Sequence, residues 1–190
     1  MQPQNDYKNV FYPPGGVLLW ILIVLELLTF GIALVVLVFS AKEAPEQYHA
    51  SAAHLNRTFG AINTVFLLVS GYFMAMVVRH FKSGDNRSSV LDMNWAMLGG
   101  LLFLVLKGFE YYEKVSGGFI LGYDGFFNFY WLLTGFHVIH VLVGLVILLF
   151  VRHSIKRHNA QLDDVEASAA FWHMCDLIWL LLFPVLYLLV

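Results

Sequence analysis

The sequence has 190 residues, of which 59% are hydrophobic and only 13% are charged, and its mean hydropathy is +0.72. Soluble domains carry about 25% charged residues, so this chain could not cover its surface in water and is expected to lie in lipid. The formal net charge of −2 excludes a basic field for nucleic acid, and the single cysteine, Cys175, excludes an internal disulfide.

Five apolar segments are each long enough to cross a bilayer as a helix, which takes about 20 residues. They are separated by polar, glycine-containing or proline-containing stretches, such as the predicted turn at 83–86 and the loop at 117–124. The sequence therefore predicts a single all-α membrane domain over 1–190 with five transmembrane helices. In chain order the predicted spans cover about 17–40, 59–78, 91–112, 126–151 and 169–190.

The basic residues between the spans predict the orientation. With five spans, the N-terminus shares a side of the membrane with the second and fourth loops. That side carries seven lysines and arginines, and the other side carries three. Because cytoplasmic loops are enriched in basic residues, we expect the N-terminus in the cytoplasm and the C-terminus outside. The two sets are Lys8, Arg79, Lys82, Arg87, Arg152, Lys156 and Arg157 against Lys42, Arg57 and Lys114.

Several ionisable residues lie inside the predicted spans, where an unpaired charge is expensive. Glu26, His140 and Asp176 belong to three different spans, yet at about 1.5 Å per residue they fall in one layer of the cytoplasmic half. His137 lies one turn further out. His137 with His140, and His173 with Asp176, have the i, i+3 spacing that shares a helix face. These five residues predict a polar cleft, in which we expect His173 and Asp176 to connect the last span to the bundle.

Other polar residues have simpler interpretations beside the functional one. Lys107 and Glu110 form a second i, i+3 pair near the outer interface, where the lysine ammonium could reach the head groups. His173 could anchor at the cytoplasmic interface together with Trp172. A basic cluster at the cytoplasmic flank of the fourth span is predicted to contact anionic lipid head groups. Its members are Arg152, Lys156 and Arg157.

The intramembrane histidines raise the alternative of a b-type haem, which needs two imidazoles on facing helices at matching depth. His140 and His173 differ in depth by roughly 10 Å, and His137 leaves the same side of the helix as His140. The sequence also lacks an H-E-x-x-H metal motif. We therefore expect no catalytic residue, no metal and no soluble substrate. An independent transporter or channel along the polar cleft stays an alternative, although the chain shows no inverted repeat.

Five stretches, in order along nearly the whole chain, resemble the subunit III family of the haem–copper oxidases. The first span resembles the family's first core helix with its buried glutamate, here Glu26. The segments at 63–70 and 110–113 resemble the family's N-T-x-x-L-L-x-S and E-Y stretches. The most specific matches are G-F-H-V-I-H-V-L-V-G at 135–144 and W-H-M-C-D-L-I-W at 172–179.

The resemblance has departures. Met174 and Cys175 replace the usual Phe-Val, and Lys107 stands where many oxidase subunits carry a neutral residue. Five spans are similar to the shorter bacterial form rather than to the seven-helix form. Lys107 and the compact loops also resemble the branch associated with nitric oxide reductase, which is called NorE-like. A terminal oxidase is favoured over that branch.

The family resemblance implies a non-catalytic subunit of a respiratory complex in the inner (cytoplasmic) membrane, serving aerobic electron transport. Haem and copper would belong to the partner subunit I, and this chain would carry no cofactor of its own. The resemblance further implies bound phospholipid in a cleft between helices. It links the buried glutamate, carried over to Glu26, with proton uptake by the core subunit.

Overall fold

The computed structural model describes residues 15–189, so Lys8 and the last residue of the predicted fifth span lie outside the described part. The described chain is all-α, and the prediction of five membrane-spanning helices is confirmed. The spans are α1, α3, α4, α5 and α6, the last of which continues into a C-terminal π-helical turn. The elements are α1 (Gly16–Glu43), α2 (Pro45–Ala52), α3 (Arg57–Lys82), α4 (Asn86–Ser116), α5 (Gly125–Lys156), α6 (Leu162–Pro184) and the π-helical turn (Val185–Leu189).

The helices extend beyond the predicted spans, because polar turns continue the backbone hydrogen bonding after the apolar stretch ends. The clearest case is α6, which begins at Leu162 rather than near residue 169 and carries Asp163 and Asp164 in its first turn. Acidic side chains are stabilising at that end of the helix dipole. The short helix α2 was missed and lies where the sequence predicted a loop. Pro45 occupies its first turn, a position at which the missing N–H costs nothing.

Polar side chains cap the helices that follow the loops. The Asn56 side chain accepts hydrogen bonds from the first turn of α3, and Asp124 accepts one from Phe127 N–H in α5. Asp85 does the same for α4 with Ser88. The hydrogen bonds from Ser88 hold the pKa of the Asp85 carboxyl below its usual value. The predicted turn at 83–86 therefore leads directly into α4, which begins at Asn86 with Asp85 as its N-cap.

The last span lies at the centre of the bundle. α6 packs against α1, α3 and α5 and is the most buried of the five spans, whereas α1 packs mainly against α5, α6 and α2 and is the least buried. Trp172 of α6 is fully buried and its indole donates to the Ser70 hydroxyl at 2.9 Å. Ser70 donates in turn to the Ala96 carbonyl of α4 at 2.5 Å. The interpretation of Trp172 as an interfacial anchor is therefore wrong, because the indole connects three helices inside the bundle.

Small residues allow the helices to approach closely. A Cβ atom at Gly99 of α4 would lie 2.7 Å from Ser70 Cβ and 2.9 Å from the Phe66 carbonyl oxygen of α3. Trp172 fits against Gly100 of α4 and Gly144 of α5, each of which would place a Cβ within 3 Å of the indole. The contact between α3 and α4 is the most extensive in the bundle. It depends on a side chain being absent at position 99.

We predict that Gly99→Ala destabilises the bundle by about 1–3 kcal/mol, the usual cost of inserting a methyl group into close packing. Gly108→Ala on the same helix is the matched control, because a Cβ at Gly108 meets no neighbouring atom within 4 Å. Thermal unfolding in detergent should show a lower midpoint for Gly99→Ala only. Equal midpoints for the two variants would contradict the close approach of α3 and α4.

Candidate functional site

The half of the bundle that contains the end of α4 and the start of α5 holds a buried ion pair. Lys107 and Glu110 are 1% and 0% exposed, and their Nζ and Oε2 atoms are 3.1 Å apart. Lys107 Nζ also donates to the hydroxyls of Tyr130, at 3.2 Å, and Tyr187, at 2.7 Å. Both hydroxyls donate to Glu110 Oε1, at 3.1 Å and 2.7 Å respectively. We call these four residues the ion-pair cluster, and within it both charges have several hydrogen-bond partners.

Aromatic rings surround the ammonium of the ion-pair cluster. Lys107 Nζ lies between 4.7 and 5.4 Å from the ring centroids of Tyr111, Tyr130, Trp179 and Tyr187, within the range of cation–π attraction. The interpretation of Lys107 as a residue that reaches toward the head groups is therefore wrong. The i, i+3 spacing identified Lys107 and Glu110 but not Tyr130 or Tyr187. The only feature of the sequence that could have indicated these two residues is that each is a tyrosine within an otherwise apolar span.

The ion-pair cluster joins α4 to α5 and to the C-terminal π-helical turn. Pro184 has no backbone N–H, and the chain widens from α-helix into the π-helical turn directly after it. Tyr187 lies in this turn and is 2% exposed. Its hydroxyl is hydrogen-bonded to Lys107 and Glu110, so the π-helical turn is held against the interior. Removal of one partner from such a buried ion pair strongly destabilises a protein, because the remaining charge is left without compensation.

A second polar contact lies between α1 and α5. Glu26 Oε2 and His140 Nε2 are 3.4 Å apart, and the side chains are 18% and 12% exposed. This is an ion-pair distance rather than a formed hydrogen bond. His140 Nδ1 donates to the Phe136 carbonyl oxygen at 2.8 Å, so the second nitrogen of a neutral imidazole bears no proton. We call Glu26 and His140 the inner pair.

His173 and Asp176 form a contact within α6, with 3.4 Å between Nδ1 and Oδ2. The sequence led us to expect that these two residues connect the last span to the bundle. Both face α3, because a Cβ at Gly71 would overlap with Asp176 Oδ2 and would lie 3.5 Å from His173 Nδ1. Asp176 is 7% exposed and His173 points partly outward. Among the described residues, Asp176 has no hydrogen bond or ion pair with the inner pair.

His137 lies between the two polar regions and is fully buried. Its ring stacks on Trp179 with centroids 5.4 Å apart and meets Phe103 edge to face at 5.5 Å. Neither ring nitrogen forms a hydrogen bond with any residue of the described range. Within residues 15–189, no three side chains of His, Cys, Asp or Glu are grouped closely enough to hold a metal ion.

The basic cluster predicted to contact lipid head groups lies at the end of α5. Arg152 Nε donates to Asn94 Oδ1 of α4 at 2.5 Å, whereas Lys156 and Arg157 are exposed. Two ion pairs lie at the same end of the bundle, Lys82 with Glu166 and His80 with Asp92, both at 2.6 Å. Arg152 therefore has a part in holding α4 and α5 together besides any contact with lipid.

The fold and these polar groups define the class of protein, a multi-pass helical membrane protein whose ionisable residues face the interior of the bundle. Comparison with family models adds the family. Residues 52–190 match the model for cytochrome c oxidase subunit III. The chain belongs to the cytochrome c oxidase subunit III family, as the resemblance in the sequence led us to expect.

Curated relatives carry the same description. Cytochrome c oxidase subunit 3 of Thermostichus vulcanus is 30% identical over 149 residues, which are 76% of this chain and 72% of that protein. The Schizophyllum commune protein of the same name is 34% identical over 131 residues, 66% of this chain and 47% of the relative. The Arabidopsis thaliana protein is 30% identical over 132 residues, 66% and 48% respectively. The chain thus aligns with about half the length of several curated relatives that it matches.

We predict that Lys107→Met destabilises the bundle by about 3–5 kcal/mol, because Glu110 is then left as a buried charge without its ammonium partner. The double variant Lys107→Met/Glu110→Gln should lose less stability than Lys107→Met alone, since no buried charge remains. Denaturant unfolding in detergent measures both. A double variant less stable than the single one would contradict a mutually dependent ion pair.

Gly71→Ala is predicted to destabilise the contact between α3 and α6, because the added methyl group would overlap with the Asp176 carboxylate. The loss should largely disappear in an Asp176→Ala background, where the carboxylate is gone. Gly135→Ala is the control, since a Cβ there meets no neighbour within 4 Å. Additive effects of Gly71→Ala and Asp176→Ala on the unfolding midpoint would show that the two residues do not contact each other.

Proposed function

We propose that the chain is a non-catalytic subunit III component of a respiratory haem–copper terminal oxidase in the inner (cytoplasmic) membrane. Its partner would be the core subunit I, which would carry the haem and copper of the complex. The family match supports this proposal, and the inner pair is the observation that gives the chain a part in the reaction. Glu26 and His140 offer a carboxyl group and an imidazole, the two side-chain types best suited to exchanging protons at neutral pH.

The position of the inner pair suits a supporting role in proton uptake. Glu26 and His140 are both partly exposed on the side of the bundle formed by α1 and α5. Lys107 and Glu110, in contrast, are fully buried, and four aromatic rings lie around the ammonium. A proton on the inner pair could therefore pass to or from a neighbouring subunit, whereas Lys107 and Glu110 act as a structural pair. The role is modulatory, since the redox chemistry would take place in the core subunit.

A bound phospholipid is a second part of the proposal. A groove of about 410 Å³ lies where α5, α6 and the start of α1 meet, and its lining includes Leu19, Ile147 and Phe171. Its lining also includes Asp164 and reaches Ser154, two residues before the exposed Lys156 and three before Arg157. An acyl chain in the groove would place its phosphate within reach of these two cations and Arg152. A lipid at this position would cover apolar surface of α1, the least buried span.

The other two functions that the sequence left open have less support. The relatives that match are named as oxidase subunits, which favours a terminal oxidase over the nitric oxide reductase branch. A transporter would need a polar path through the bundle. The inner pair, His137 and the ion-pair cluster are instead separated by rings such as Phe103 and Trp179.

Glu26→Gln should leave membrane insertion and assembly unchanged. In the purified oxidase it should reduce the number of turnovers before activity is lost, or reduce the number of protons released per electron. The amide keeps the size of the side chain but cannot carry the exchangeable proton. The matched control is Glu43→Gln, at the exposed end of the same helix. Oxygen consumption over successive turnovers and proton release per electron are the two measurements. If both match the wild-type complex, the inner pair has no part in the reaction.

The proposed orientation places the turn between α3 and α4 in the cytoplasm and the end of α4 outside. Ser83→Cys and Ser116→Cys put one exposed thiol at each position, and the native Cys175 is buried. A membrane-impermeant maleimide should label the cysteine at 116 in intact cells and the cysteine at 83 only after permeabilisation. The reverse pattern would invert the orientation predicted from the basic loops.

A further inference from the structure

The middle of the bundle holds two polar side chains whose hydrogen-bonding atoms are not matched by the protein. His137 of α5 and Asn63 of α3 are each 0% exposed. Neither the two ring nitrogens of His137 nor the two amide atoms of Asn63 form a hydrogen bond with a described residue. The large majority of buried side-chain polar atoms in proteins have a hydrogen-bond partner, either protein or ordered water. Four such atoms at the level of one tryptophan therefore indicate a ligand that supplies the missing hydrogen bonds.

Trp179 of α6 contacts His137 and the residue that follows Asn63. Its indole stacks on the His137 ring, and its Nε1 donates to the Thr64 hydroxyl at 3.0 Å. Thr64 directly follows Asn63 in α3. Stacking uses the flat face of the imidazole, while both nitrogens lie in its edge and stay available for hydrogen bonding. The neighbouring rings thus hold His137 in place but give its two nitrogens no hydrogen-bond partner.

The chemistry of the two side chains selects the ligand. A neutral imidazole provides one donor and one acceptor, and a primary amide provides two donors and an acceptor. Buried water makes about three hydrogen bonds of mixed donor and acceptor character. A metal ion would need more ligands, and the described chain has no group of three His, Cys, Asp or Glu side chains that could hold one. An apolar ligand would leave the same four atoms unbonded.

We propose that His137 and Asn63 bind internal water in the membrane interior of the bundle. His137 lies on α5 between Tyr130 of the ion-pair cluster and His140 of the inner pair. The Lys107 ammonium lies 5.4 Å from the centroid of the same Trp179 ring on which His137 stacks. Water at this position lies between the two polar regions along α5 and supplies the hydrogen bonds that His137 and Asn63 lack. The inference does not rest on the proposed function, because the water is held by this chain with any partner.

The test is hydroxyl-radical labelling by X-ray radiolysis of water, with the intact complex in detergent and mass spectrometry of this chain. Radicals formed from bound water oxidise the side chains beside it, including those that bulk water cannot reach. Phe103 and Trp179 are both 0% exposed, and we expect both to be labelled. Phe126 is equally buried but contacts Tyr48 and Phe127, and it should stay unlabelled. Absence of label at Phe103 and Trp179 would overturn the proposal.

Two variants test which residues hold the water. His137→Phe replaces the imidazole by an apolar ring of similar shape, and Asn63→Leu removes the amide at similar volume. Each should reduce the labelling of Trp179, and the double variant should abolish it. Unchanged labelling in the double variant would overturn the assignment to His137 and Asn63. Should a variant fail to assemble, the contrast between Trp179 and Phe126 in the wild-type chain decides the question by itself.

Discussion

Lipid offers no hydrogen-bond partner to a side chain, so a polar residue inside the bundle must be bonded by another helix, by water or by its own helix. This constraint explains why α6 occupies the centre. Its Trp172 and Trp179 indoles each donate to a hydroxyl of α3, and its Asp176 lies against a glycine of the same helix. The turn that follows α6 brings Tyr187 to the buried ion pair. The arrangement of the spans is thus fixed by polar contacts as well as by apolar packing.

The same constraint separates the polar residues by role. Lys107 and Glu110 are fully buried and are hydrogen-bonded to each other and to two tyrosines, which suits a pair that holds α4, α5 and the π-helical turn together. Glu26 and His140 are partly exposed and make a looser contact. Stability is therefore the role of the first pair in this account, and proton exchange is the role proposed for the second. His137 forms no hydrogen bond with a described residue, and the proposed internal water gives it a place in the same scheme.

Much of this structure could be predicted from the sequence, because the length of an apolar run directly reports a membrane span. All five spans were found in this way. The start of α6 at Leu162 and the helix α2 were not, since polar helical turns outside the membrane leave no hydropathy signal. Equal depth correctly brought Glu26 to His140. Depth and i, i+3 spacing describe one helix at a time, however. They could not show which residue of a neighbouring helix lies opposite a given side chain.

The surroundings of Lys107 illustrate that limit. Its two hydroxyl partners lie 23 and 80 residues further along the chain, and nothing in the local pattern relates them to the lysine. An ammonium near the end of a span was therefore interpreted as an interfacial group, although three other elements enclose it. Asp176 shows the same effect, because its partner in α3 is a glycine with no side chain to mark the contact. Partners that are distant in the sequence could be identified only from the three-dimensional structure.

The central claim is that this chain works as a subunit beside a haem-bearing and copper-bearing core. Native mass spectrometry of the complex extracted from membranes in mild detergent tests it most directly. The account predicts one copy of this chain in a stoichiometric complex with a core subunit that retains haem and copper. Recovery of the chain alone, folded and with lipid but without a core subunit, would contradict the account and favour an independent membrane protein.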